Sequence, residues 1–228
     1  MYDGIDLADV VQLQKQYISL VQSNCLSRAA LCKLVVPFRA KYGLSEEEAL
    51  SVARNELTVE KLVELSNSVK SRLLTERKGI TAMLSELLEK YIAPTRDNRI
   101  YWAKEVTFDY GTQNQVRVDY MRFKPRNNTV SGIESGEFYC YEVKSSVEDF
   151  HSKHGHNFIG DYNYYVMPLS VYEDVKGEIK HNIGVLCLDM ENKGKGLYSV
   201  KRAKRKDRNR PVSEMLLMMF RSANRDRG

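Results

Sequence analysis

The feature that most constrains the fold is a change of hydrophobic period near Pro94. From Leu7 to about residue 93, apolar residues recur three and four positions apart, which predicts a series of amphipathic helices. From Arg99 onward, the runs VTFDY (106–110) and QVRVDYMRF (115–123) flank a GTQN turn, which is typical of a β-hairpin. The chain therefore begins with helices and continues with strands.

Turn and capping signals divide the helical part. Pro37 predicts a kink or an end in the second helix, and Gly43 predicts its C-terminus. Ser45 and Glu48 have the spacing of a capping box, which predicts the start of the next helix. Gly79 predicts an interruption before the apolar stripe of residues 80–91.

The part after the hairpin predicts strands that alternate with helices. The segment 124–137 is polar and rich in turn formers, so we expect a loop. Further strands are expected at 138–144, 163–168, 183–189 and 197–203, with a helix or helix plus loop at 146–161, a helix capped by Ser170 and a last helix at 212–222. This order predicts an α/β core with a mixed sheet. We divide the chain into a helical N-terminal region (1–75), the α/β core (76–210) and a C-terminal helix (211–228).

Composition limits the class of protein. No apolar run approaches about 18 residues, so we expect no transmembrane helix and no membrane partner. The N-terminus has neither the basic nor the apolar region of a secretory signal, and the expected location is the cytoplasm. The four cysteines form no CxxC pair, so we expect buried, reduced thiols at Cys25, Cys32, Cys140 and Cys187.

Positive charge is concentrated near the C-terminus. The chain has a net charge of +5, and the segment KRAKRKDRNR (201–210) contains seven cationic residues and one aspartate. Such a block beside a folded core is typical of contact with nucleic-acid phosphates, and a solvated, partly disordered tail is the alternative. The candidate contacts are Lys201, Arg202, Lys204, Arg205 and Lys206.

Three charged residues lie where strands are expected to be apolar. Glu142 and Lys144 are two positions apart in FYCYEVK, so their side chains share one face of the strand. Asp119 lies in the second strand of the hairpin, and it can meet Glu142 if the two strands are neighbours. An ion pair between Glu142 and Lys144 is the alternative interpretation.

Paired carboxylates favour a bound cation. Asp119 and Glu142 would repel each other unless one is protonated or a cation lies between them. Oxygen ligands suit Mg²⁺ or Mn²⁺, and Lys144 could hold or deprotonate a water or stabilise charge on a phosphate. The pattern thus predicts a site for metal-assisted phosphate chemistry.

The same residues resemble a known superfamily. Asp119, followed after 22 residues by Glu142-Val143-Lys144, is similar to the D…(D/E)xK signature of the PD-(D/E)XK nucleases. The segment YEVKSSVEDF resembles a bacterial DNA-repair branch of that superfamily, and the block up to GHNFIGDYNYYVMP resembles phage and prophage proteins of Gram-positive bacteria. The resemblance covers about residues 76–206.

The resemblance implies a fold and residue roles. It implies a restriction-endonuclease-like αβββαβ core, with metal ligands at Asp119, Glu142 and the Val143 carbonyl. Many members add a glutamate from the helix before the hairpin, for which Glu76 is our first choice and Glu86 our second, with Glu89 also on this helix.

The run HSKHGHN follows the ExK strand. The resemblance implies phosphate or water contacts from this region, with Lys153, His154, His156 and Asn157 as candidates. A surface turn is the alternative for each of them. A zinc site is disfavoured, because zinc ligands usually come from two separate segments.

The expected function is metal-dependent hydrolysis of DNA with Mg²⁺ or Mn²⁺, in a phage or bacterial setting such as DNA repair or recombination. A non-catalytic nucleic-acid-binding or assembly protein with the same core is the rival, and an RNA nuclease is a further alternative. Whether the chain forms a homodimer is left open.

Overall fold

The computed structural model describes residues 4–94, 100–152, 154–189 and 196–225. The chain is an α/β protein with a helical N-terminal region and a six-stranded mixed sheet. It forms two compact units, Met1–Glu76 and Arg77–Gly228.

The first unit contains three helices and the beginning of a fourth: α1 (Leu7–Gln22), α2 (Arg28–Tyr42), α3 (Glu46–Ala53) and α4 (Val59–Ile92). Gly43 ends α2 in the left-handed conformation, and Ser45 with Glu48 forms the capping box of α3, so both predictions are confirmed. The predicted end of α2 at Pro37 is wrong, because the helix continues through this residue to Tyr42. Val35 and Phe38 on this helix are buried in the core of the unit, and their packing offsets the backbone hydrogen bond that proline removes.

The expected interruption at Gly79 is also wrong, because α4 is continuous. Glycine costs a helix about 1 kcal/mol relative to alanine, which apolar burial further along can outweigh. Leu84, Leu88 and Ile92 supply that burial against the sheet of the second unit.

The sheet has the strand order β1-β2-β3-β4-β5-β6. The strands are β1 (Tyr101–Phe108), β2 (Val116–Lys124), β3 (Glu137–Val143), β4 (Tyr162–Pro168), β5 (Gly184–Leu188) and β6 (Leu197–Lys201). The pairs β1–β2, β2–β3 and β5–β6 are antiparallel, whereas β3–β4 and β4–β5 are parallel. The predicted hairpin and mixed sheet are therefore confirmed, with β3 next to β2.

Four helices accompany the strands: α5 (Val130–Glu134), α6 (Val147–Phe150), α7 (Leu169–Val175) and α8 (Val212–Arg225). The short α5 was not expected; Thr129 caps it by accepting a hydrogen bond from the Gly132 N–H. The predicted cap at Ser170 is wrong, because α7 begins at Leu169, directly after β4.

The faces of the sheet are covered by different helices. Phe138 and Cys140 of β3 pack in a cluster that includes Met215 and Met219 of α8. Tyr141 and Val143 point to the other face and pack with α4. Glu142 continues the face of Phe138 and Cys140, at the end of the central strand.

The thiol and membrane predictions have different outcomes. All four cysteines are free, but only Cys140 and Cys187 are buried, whereas Cys25 is exposed and Cys32 partly exposed. Burial was therefore wrong for Cys25, which lies between α1 and α2, and for Cys32 of α2. Within the described ranges, no helix combines the length and apolar character that crossing a bilayer requires.

Candidate functional site

Asp119 and Glu142 come together where β2 and β3 separate. The paired register of these antiparallel strands ends at Tyr120 and Tyr141, and its continuation by one residue places Asp119 opposite Glu142. The Val143 N–H donates a hydrogen bond to Asp119 Oδ2 at 2.9 Å. The carboxylate of Asp119 thus occupies the position where the next bond of the strand ladder would form.

Glu142 is a buried carboxyl without a hydrogen bond of good geometry. Its exposed fraction is 0%, and neither side-chain oxygen makes such a bond within the described part of the chain, although the Asn157 backbone N–H and the Asp119 carboxyl lie near enough to affect its pKa. Burial, followed by the negative charge of Asp119, raises the pKa of Glu142 to about 9, and Lys144 opposes this rise. Burial also raises the pKa of Asp119, opposed by the hydrogen bond from Val143. Burial and the neighbouring carboxylate therefore favour the protonated form of Glu142.

Lys144 is held by backbone carbonyls. Its exposed fraction is 2%, and Nζ donates to the carbonyl oxygens of Asp149 at 3.0 Å and His154 at 2.6 Å. Its nearest carboxylate is Asp149, with Nζ and Oδ1 3.8 Å apart, and it forms no ion pair with Glu142 within 4.0 Å. The ion-pair interpretation of Glu142 and Lys144 is therefore wrong.

Gly155 is a site residue that the sequence reasoning missed. A Cβ at this position would lie 2.9 Å from Lys144 Nζ and 3.1 Å from Glu142 Oε2. The backbone φ of Gly155 is +70°, a conformation that side chains disfavour. No pattern within HSKHGHN marks this role, because it depends on where the fold places Lys144 and Glu142.

The segment after β3 fixes Lys144 through Asp149. Asp149 Oδ2 accepts from the Ser145 N–H at 2.9 Å and from the Ser145 hydroxyl at 3.3 Å. The Asp149 N–H in turn donates to Ser146 Oγ, the N-cap of α6. This compact turn holds the Asp149 carbonyl against Lys144.

The histidines are not gathered into a metal site. His156 Nε2 donates to the Ser152 carbonyl at 3.0 Å, so its Nδ1 accepts from the Tyr165 hydroxyl. His151 pairs with Glu178 at 3.0 Å. No group of three or more metal-ligating His, Cys, Asp or Glu side chains occurs in the residues that the structure describes.

The remaining candidates of this run have different surroundings. His154 is exposed at its side chain and contributes its carbonyl to Lys144. Asn157 Nδ2 donates to the Arg117 carbonyl at 2.8 Å, which ties the loop to β2. Lys153 lies outside the described residues.

The helix glutamates have different surroundings. Glu76 is exposed and is the last residue of the first unit. Glu86 is exposed and pairs with Lys90 at 2.7 Å. Glu89 accepts from the Tyr120 hydroxyl at 3.0 Å, and Tyr120 points to the opposite face from Asp119.

The basic block is fixed to the second unit, so the disordered-tail alternative is wrong. The Lys206 N–H donates to the Asp161 carbonyl at 2.9 Å, and its Nζ donates to the Phe158 carbonyl. Lys201 Nζ donates to the carbonyls of Ile179 and Lys180 at 3.1 and 2.8 Å. Lys201 and Lys206 therefore stabilise the fold. The exposed cations of the predicted set are Arg202, Lys204 and Arg205.

The comparisons with known proteins add no relative. No protein-family model matches the chain, and no curated protein and no solved structure matches it.

Proposed function

We propose that the second unit is a metal-dependent nuclease that hydrolyses phosphodiester bonds in DNA, with Asp119 and Glu142 as ligands of Mg²⁺ or Mn²⁺. One observation carries this proposal. The buried Glu142 carboxyl lies opposite Asp119 and makes no hydrogen bond of good geometry in the described residues, although buried polar groups are normally satisfied. A divalent cation would satisfy both carboxylates.

The donor set suits a hard cation. Within a strand, the N–H and the carbonyl of one residue face the same neighbouring strand. Because the Val143 N–H donates to Asp119, the Val143 carbonyl also faces the β2 side. Two carboxylates and one carbonyl are oxygen ligands of the kind that Mg²⁺ and Mn²⁺ prefer. When bound, such an ion would polarise a phosphate and lower the pKa of an attacking water.

Lys144 would act as a fixed positive charge. An ammonium group has three donors, and the carbonyls of Asp149 and His154 take two of them. One N–H therefore remains for a water or a phosphate oxygen. A Cβ at Gly155 would lie within 3.1 Å of both Lys144 Nζ and Glu142 Oε2, so this donor lies near Asp119 and Glu142, the acidic pair.

The element order supports the same proposal. The sequence α4, β1, β2, β3, α6, β4 is the αβββαβ order that the resemblance implies, with α5 added between β2 and β3. We therefore propose a restriction-endonuclease-like core, and a role in phage or bacterial DNA repair or recombination.

The proposal is tested with Asp119→Asn. Asparagine keeps an oxygen that accepts from the Val143 N–H but loses the charge that holds a cation. We expect wild-type protein to cut at least one of linear, nicked, branched or single-stranded DNA with Mg²⁺ or Mn²⁺, and the variant to cut about a hundredfold more slowly, the scale of losing a catalytic electrostatic group. Asp174→Asn, at an exposed position of α7, is the matched control and should remain active.

Lys144→Ala is a weaker test. It removes a buried cation that binds two carbonyls, so loss of stability would accompany any loss of activity.

A non-catalytic nucleic-acid-binding protein is the second candidate. The near-complete burial of Glu142 and Lys144 favours it, because a phosphate cannot reach them without movement of the loop at Gly155. Wild-type protein that binds DNA but cuts neither any DNA form nor RNA with either metal would replace the nuclease with this candidate.

A further inference from the structure

We propose that a basic cleft at the far end of β2 holds the sugar–phosphate backbone of a nucleic-acid strand. This inference deepens the proposed function by naming a second place where the substrate is bound. The cleft has a volume of about 530 Å³ and is lined by Lys124, Pro125, Arg126, Glu134, Ser135, Glu137, Arg205 and Arg208.

Three exposed cations converge on this cleft from separate parts of the chain. Lys124 ends β2, Arg126 lies in the loop that follows, and Arg205 belongs to the segment after β6. The side chains of these three residues make no ion pair within the described ranges. Their charges are therefore available to a ligand.

The wall that carries Arg205 is held in place by contacts of Arg208. Arg208 forms an ion pair with the buried Asp161 at 2.7 Å and donates to the carbonyls of Gly136 at 3.0 Å and Glu134 at 3.1 Å. The guanidinium of Arg208 also lies over the Phe138 ring, 5.4 Å from its centroid. These contacts join the segment after β6 to the end of α5, so the cleft is formed without a ligand. Binding of a ligand therefore requires little further ordering of the backbone.

The charge balance favours a phosphodiester chain. Asp161 neutralises Arg208, which leaves the three exposed cations against the carboxylates of Glu134 and Glu137. Glu137 already accepts from the Tyr139 hydroxyl at 2.8 Å. A compact polyanion would have to lie close to the carboxylates of Glu134 and Glu137. In a nucleic-acid strand each phosphate carries one charge, so successive phosphates can contact the cations without lying beside the carboxylates. Arg202 and Lys204 extend the positive surface along the same segment.

The cleft is separate from the acidic pair. Lys124 follows Asp119 by five residues on β2, a distance of about 17 Å at the rise of an extended strand. Residues of the cleft are therefore expected to act on affinity and on KM, with little effect on the maximal rate of cleavage.

The test compares two double variants with the same loss of charge. Arg126→Gln with Arg205→Gln removes two cations of the cleft, and Lys176→Gln with Lys180→Gln removes two exposed cations near α7. Binding of fluorescent single-stranded DNA is measured at several salt concentrations in EDTA, without cleavage. Each phosphate contact contributes about 0.7 to the slope of log affinity against log salt. The cleft variant should lower the magnitude of the slope by about 1.4, and the control should not change it.

An unchanged slope in the cleft variant overturns the inference. The two proposals can fail separately. If the protein cuts no nucleic acid but the cleft variant changes the salt slope, the nuclease proposal fails and the cleft proposal stands. If the protein cuts DNA but the cleft variant leaves the slope unchanged, only the cleft proposal fails. If the cleft variant unfolds in a melting scan, Lys124→Gln with Arg126→Gln replaces it.

A small phosphate ligand is distinguished by titration with inorganic phosphate. Tight phosphate binding that the cleft variant loses, together with unchanged DNA binding, would overturn the assignment to a nucleic-acid strand. Weak or undetectable phosphate binding beside a reduced DNA slope supports it.

Discussion

The buried carboxyl of Glu142 makes the stability of the cation-free protein depend on pH. The pKa of Glu142 is raised to about 9 in the folded chain, from 4.5 for an ordinary glutamate. Between these values the folded state binds a proton that the unfolded state has released. The free energy of unfolding therefore falls as pH rises, by about 1.4 kcal/mol for each pH unit.

The expected effect is large enough for a thermal scan. From pH 6 to pH 8 the contribution of Glu142 falls by about 3 kcal/mol, which lowers Tm by roughly 6–12 °C for a chain of this size. Glu142→Gln has no proton to exchange and should lose this part of the pH dependence. Glu86→Gln is the matched control, because Glu86 is exposed and its pKa is lowered by Lys90. Glu86 is therefore ionised in both states above pH 6, and its replacement should leave the pH dependence unchanged.

Manganese provides the second arm of this experiment. Metal ligands must be deprotonated, so a bound cation stabilises the ionised form of Glu142. Saturating Mn²⁺ should raise the Tm of the wild type more at pH 8 than at pH 6, and should not raise the Tm of Glu142→Gln. The reasoning is refuted if Glu142→Gln keeps the wild-type pH dependence in EDTA, or if Mn²⁺ shifts both proteins equally.

Further predictions concern the surroundings of the site. Gly155→Ala should lower both Tm and cleavage, because its Cβ would press on Lys144 Nζ, whereas Gly111→Ala, with a φ of +77° and open space around it, should cost only the backbone strain of about 1–2 kcal/mol. Equal losses in the two variants would mean that Gly155 has no special contact. Asp161→Ala should destabilise the fold by about 1–3 kcal/mol in denaturant unfolding, because it removes the carboxylate that pairs with the partly buried Arg208 and accepts from the buried Phe138 N–H; a loss below 1 kcal/mol would contradict this. Iodoacetamide should label Cys25 in the native protein but neither strand cysteine, as peptide mass spectrometry would show.

Local sequence patterns predicted the elements whose exposed faces and hydrogen bonds depend on residues close together in the sequence. The period-two runs predicted β1 to β4 because a strand exposes alternate residues to core and solvent. The capping box at Ser45 was predictable because its hydrogen bonds join residues three positions apart. Pro37 and Gly79 misled the same reasoning, since packing of the flanking apolar residues outweighs a local penalty of a few kcal/mol.

The acidic pair was predictable in part. Strand alternation placed Glu142 and Lys144 on one face, and adjacency of the two strands placed Asp119 near Glu142. The partners of Lys144 were not predictable. They are the carbonyls of Asp149 and His154, and backbone carbonyls carry no sequence signal.

The sequence by itself determined which charges the chain has and which strand faces display them. Only the tertiary structure decided which of those charges remain free. Lys206 and Arg208 belong to the same basic run as Arg205, but contacts with Phe158 and Asp161 bind the first two to the fold and leave Arg205 exposed. Those contacts join residues that are 47 or 48 positions apart. A pattern within one segment cannot encode them, because each depends on where the rest of the chain places its partner.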